Sequence, residues 1–84
     1  MDIGVEISLY PLGASFVPPI KAFLERLQAD GRLKVVTTSL STQIFGAYED
    51  VFGALAREMR TTFGEVDKAV FVVKVFGPLA EPGG

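Results

Sequence analysis

Lys34–Gly46 reads KVVTTSLSTQIFG, an apolar start that runs into Thr37, Thr38, Ser39, Ser41, Thr42 and Gln43 and closes on Phe45 and Gly46. Val and Thr favour pleated backbone, and Ser39 or Ser41 can turn the chain by bonding its own main chain. Two short strands meeting near Leu40 are therefore expected. The stretch gathers five hydroxyls and a carboxamide within seven residues, more hydrogen-bonding capacity than a solvent-facing strand needs. Exposed Thr pairs alone would stabilise a sheet by roughly 0.2–1 kcal/mol per pair without binding anything. Tyr10, Phe45 and Tyr48 tip the reading towards a ligand, because apolar walls around a few polar groups are what a small-molecule pocket requires.

Outward from the hairpin, Ile3–Tyr10 alternates, with Ile3, Val5, Ile7 and Leu9 on one face and Gly4, Glu6, Ser8 and Tyr10 on the other, as a half-buried strand does. Pro11, Leu12 and Gly13 break it. Ser15 is placed to cap a helix whose first turn tolerates Pro18 and Pro19, since amides there lack an intrahelical partner. Ile20, Phe23, Leu24 and Leu27 form its apolar stripe, and Gly31 suits its C-terminus. After Gly46 a second helix is expected over about Tyr48–Thr62, burying Phe52, Leu55, Ala56, Met59 and Phe63 and ended by Gly64. Glu49 and Asp50 in its first turn and Arg57 and Arg60 towards its last complement the macrodipole. Lys68–Phe76 is the last strand, apolar on both sides. Ala69, Phe71, Val73 and Val75 form one side and Val70, Val72 and Phe76 the other, with Lys74 facing Glu6 on the neighbouring strand.

The order βαββαβ predicts an α+β fold of ferredoxin-like type, a four-stranded antiparallel sheet with both helices on one face. The 84 residues make one domain, 1–84, with 77–84 expected as a flexible tail. A hydrophobic fraction of 49% is high for so short a chain, and packing of sheet faces into a homodimer or homotetramer would account for it. A net charge of −2 and scattered basic residues argue against nucleic acid. Charges interrupt every apolar run before a membrane span could form. With no cysteine and no signal-like N-terminus, a cytoplasmic setting is expected.

The absence of His and Cys removes the commonest general base, metal ligands and thiolate nucleophile, so no enzymatic activity and no cofactor are expected. The glycines match no phosphate-loop spacing, and Asp30, Glu49, Asp50 and Asp67 do not form a calcium loop.

SLYPLG with FVPPIKAFLERL, VVTTSLSTQIFG, AYEDV and KAVFVVKVF together resemble the single-domain members of the YkoF-like family over residues 3–76. That resemblance implies a non-catalytic protein that binds thiamine or its hydroxymethylpyrimidine precursor for uptake or salvage, paired or tetrameric through its sheets. Two positions depart from the family pattern. Ala47 stands where an acidic residue often follows the glycine, which removes a helix cap, and Thr38 stands where Asn is frequent. The expected ligand-binding residues are Ser8, Tyr10, Thr37, Thr38, Ser41, Thr42 and Gln43, with Phe45 and Tyr48 as apolar walls. Ser, Thr and Gln can pair with the ring nitrogens and amine of an aminopyrimidine, whose flat ring stacks on Tyr or Phe, and Glu6 would attract a thiazolium. The competing classes are a cofactor-independent monooxygenase or isomerase of the dimeric ferredoxin-like barrel type and an amino-acid-sensing regulatory module.

Overall fold

The computed structural model describes residues 1–12, 17–39 and 41–79, the side chain of Val17 apart. The proposed Ser15 cap, Gly13, the Leu40 apex and the terminal segment 80–84 lie outside the described residues. The elements are β1 (Asp2–Pro11), α1 (Val17–Gln28), β2 (Lys34–Thr37), β3 (Thr42–Ala47), α2 (Tyr48–Glu65) and β4 (Ala69–Phe76). The strands pair antiparallel in the order β2-β3-β1-β4, so the ferredoxin-like α+β arrangement expected from βαββαβ is the one found.

β1 is central, and its period-two alternation puts Ile3, Val5 and Ile7 under the helices, where they pack with Ile44, Phe23, Leu27, Val51, Ala54 and Leu55. Removing these side chains from water is the main stabilising term. The helices cover one face only. On the other face Val36, Val70, Val72 and Phe76 remain exposed, and Lys74 Nζ lies 3.6 Å from Glu6 Oε1, the residue opposite it in the register. Gly4 is buried on that open face because the rings of Phe45 and Phe76 close over it. A Cβ there would collide with the Phe76 ring and sit 3.1 Å from Phe45 Cε1.

The buried face of α2 differs from the expected one. Val51, Ala54, Leu55, Glu58 and Thr62 are buried, Met59 is half-buried, and Phe52, Ala56 and Phe63 are exposed. The helix is rotated from the expected face so that Glu58 and Thr62 meet α1. The Glu58 carboxylate is neutralised there by Arg26 at 2.7 Å and Arg57 at 2.9 Å, and Arg26 also donates to Thr62 Oγ1 at 3.0 Å. A buried carboxylate is tolerated only when so paired. α2 also runs through Gly64 to Glu65, whose carboxylate holds Arg26 at 3.1 Å. Arg57 and Arg60 consequently lie short of its last turn, while Glu49 and Asp50 occupy the first turn as expected.

Residues 77–79, the head of the expected tail, run beside β1, where Leu79 N donates to Asp2 O at 2.9 Å.

Candidate functional site

β3 starts at Thr42, opposite Ile7, but β1 continues to Pro11 with β4 the only strand beside it among the described residues. The sheet therefore opens into a gap between Ser8–Tyr10 and the hairpin tip. Across the hairpin, Thr38 N donates to Ser41 O at 2.9 Å and Thr38 Oγ1 both donates to Ser41 O and accepts from Ser41 N, at 3.1 and 3.2 Å. This bonding ties Thr38 to Ser41 beside the gap. α1 roofs it with Ile20, Phe23 and Leu24, and the resulting cleft measures about 260 Å³.

The cleft unites six of the nine expected residues: Ser8, Tyr10, Thr37, Thr38, Ser41 and Thr42. Gln43, Phe45 and Tyr48 are not brought to it. Thr42 and Ile44 point inward, so Gln43 and Phe45 point to the open face, where Phe45 packs edge-on to Phe76 at 6.2 Å between ring centres. Tyr48 starts α2 at the far end of the sheet and packs on Phe52 at 4.8 Å. Glu6 is likewise on the open face with Lys74 and does not line the cleft. The residues that sequence reasoning missed are the apolar ones, Ile7, Leu9, Ile20, Phe23 and Leu24, together with Ser39. The signal for Ile20, Phe23 and Leu24 was the α1 stripe, and that for Ile7 and Leu9 the β1 alternation, both of which an element buried along its whole length would show equally.

Every described lining side chain is uncharged. Thr38 spends its hydroxyl on the turn, but the hydroxyls of Ser8, Thr37, Ser41 and Thr42 engage no protein group among the described residues. Tyr10 is exposed at the mouth and Phe23 is buried at the back, where it packs against Phe71 at 5.1 Å. The arrangement can hold a flat, neutral, polar-edged molecule between apolar walls. A groove along α1 adjoins it, shares Ile20, Leu24 and Thr37 with it, and carries Lys21 and Glu25. Among the described residues no group of three or more His, Cys, Asp or Glu is placed to hold a metal, and no helix is long and apolar enough to cross a membrane.

Residues 2–75 match the model of the YkoF-related family. The chain belongs to that family. Among solved structures, a hypothetical protein of Methanocaldococcus jannascii is 25% identical with a TM-score of 0.82, over 99% of this chain and 87% of that one. A Thermotoga maritima protein assigned provisionally to thiamine biosynthesis or salvage has a TM-score of 0.83 at 15% identity, over 93% and 85%. A domain of unknown function from Bacillus cereus has a TM-score of 0.82 at 10% identity, over 100% and 83%. At such low identity the last two show the fold alone, and the YkoF-related chain matches no curated protein sequence.

Proposed function

We propose that this YkoF-related protein binds thiamine or its hydroxymethylpyrimidine precursor in the cleft between β1, the hairpin tip and α1, without turnover, in support of thiamine uptake or salvage. The observation that carries the reading is an uncharged cleft whose spare hydroxyls stand beside an apolar wall. Family membership and the thiamine-related description of the Thermotoga maritima neighbour support it. At about 260 Å³ the cleft lies just below the ~300–1,000 Å³ usual for drug-sized ligands. It suits the pyrimidine ring, leaving a thiazolium to the adjoining groove, where Glu25, 4.0 Å from Lys21, is the one carboxylate among the described lining residues. The lack of His and Cys supports binding as the whole of the activity. Two or four copies pair through the open sheet face, a reading supported by exposed Val70, Val72 and Phe76. A cytoplasmic setting accords with a chain free of cysteine.

Calorimetric titration with hydroxymethylpyrimidine, thiamine and a panel of amino acids tests this. Saturable binding of either thiamine compound, recovered unchanged afterwards, is expected. Binding of amino acids alone, or release of pyrimidine and thiazole fragments in proportion to protein, overturns the reading.

A further inference from the structure

The recognition element within this cleft can be read from the ladder. In an antiparallel sheet successive residues of a central strand turn their N–H and C=O alternately to the two neighbouring strands. Two hydrogen bonds fix the alternation on β1. Leu12 N donates to Lys68 O at 2.9 Å, continuing the β4 register, so even-numbered residues face β4. Tyr48 N donates to Met1 O at 2.9 Å, continuing the β3 register, so odd-numbered residues face β3. Ile7 is the last odd residue with a β3 partner, Thr42. Leu9 is the next. Its N–H and C=O both point into the gap, and no described residue bonds to either. Pro11 follows with no N–H to offer, so Leu9 supplies the one donor–acceptor couple on this edge.

We propose that the main chain of Leu9 reads the ligand. This deepens the binding reading above and rests on it. A ring nitrogen beside an exocyclic amine presents an acceptor next to a donor, the couple that a partner strand's C=O and N–H would present to Leu9. An aminopyrimidine edge therefore completes the ladder where β3 stops, with its ring between Tyr10 and the apolar wall of Leu24 and Phe23. Buried main-chain groups without partners are costly, so an empty cleft must hydrate both groups and a ligand bearing this edge displaces that water. The hydroxyls of Thr37 and Thr42 then trim affinity, while the ligand class, a planar ring with adjacent acceptor and donor, is set by backbone that side-chain substitution leaves intact.

The test uses wild-type protein with hydroxymethylpyrimidine and its analogue lacking the 4-amino group, followed by calorimetry, with hydrogen exchange of the Leu9 amide measured in parallel. The analogue is expected to bind at least tenfold more weakly, and the aminopyrimidine should slow Leu9 exchange at least tenfold. Leu9→Pro removes the N–H on the side that carries no ladder bond, and it should bind at least tenfold more weakly than Leu9→Ala, which retains the N–H. Should Leu9→Pro fail to fold, the analogue and the exchange rate decide. Equal affinities for the two pyrimidines, or unaltered Leu9 exchange under saturating aminopyrimidine, overturn this assignment while the binding function stands. Absence of binding by hydroxymethylpyrimidine and thiamine alike overturns both.

Discussion

The two ends of the sheet are built from the same strands yet have different characters. At the end near Asp2 and Ala47, β1 is flanked by β3 and β4 in continuous register, Val5 and Ile44 are fully buried, and Asp30, Arg32 and Asp50 form an ionic clasp where α1 leads into β2. At the end near Tyr10, β3 is missing beside β1, Leu9 is only half-buried, and uncharged hydroxyls surround a cleft. The closed end has spent its hydrogen-bonding groups on folding. The open end keeps some in reserve, so stability and the proposed binding should respond to different substitutions.

The largest expected effect is on assembly. Val72 pairs with Ser8 at the open end and its side chain lies on the uncovered face. Val72→Glu would place a charge between sheets and should convert an oligomer into a monomer at micromolar concentration by light scattering. A wild-type monomer under the same conditions removes the proposed interface. Next comes the core. Ile44→Ala at the closed end should cost about 2–5 kcal/mol by denaturant unfolding, a large part of the stability of a domain this size, whereas Leu9→Ala should cost markedly less. Equal losses break the contrast between the ends.

Within β3, ligand affinity should respond to the polar residue that faces the cleft and not to its outward-facing neighbour. Thr42→Val removes one neutral hydrogen-bond partner and should weaken hydroxymethylpyrimidine binding by up to about tenfold. Gln43→Leu, one residue on and facing away, should leave it unchanged by calorimetry. The reverse result would place the ligand on the open face. At the closed end, Ala47 caps α2 with no side-chain hydrogen bond, so Ala47→Asp should raise stability by about 1 kcal/mol in a melting experiment.

The smallest effect concerns pH. Hydrogen bonds from the Arg32 side chain and main chain, with help from Arg57, hold the Asp30 carboxyl well below the usual carboxylate range. Its contribution is therefore full above the unfolded-state value, roughly 3.9, and fades as the pH falls below it. Asp30→Asn should flatten the acid limb of the stability profile slightly, because the clasp is wet on its Arg32 side. An unchanged limb would show that the clasp contributes nothing to folding.

The amino-acid sequence by itself determined the element order and most of the core. Alternation at Ile3, Val5 and Ile7 and helical spacing at Phe23 and Leu27 report directly on which side of a local element meets the helix–sheet interior. It also marked the hydroxyl-rich turn as unusual. Only the tertiary structure decided which way α2 rolls, because Glu58 is read as solvent-facing until Arg26, distant in the chain, arrives to neutralise it. The same holds for the site. Thr42 and Gln43 are equivalent as polar residues in one strand, and pairing across to Ile7 is what turns the first inward and the second outward. The mismatch in length between β1 and β3, which opens the cleft and frees the main chain of Leu9, exists only once the two strands lie side by side.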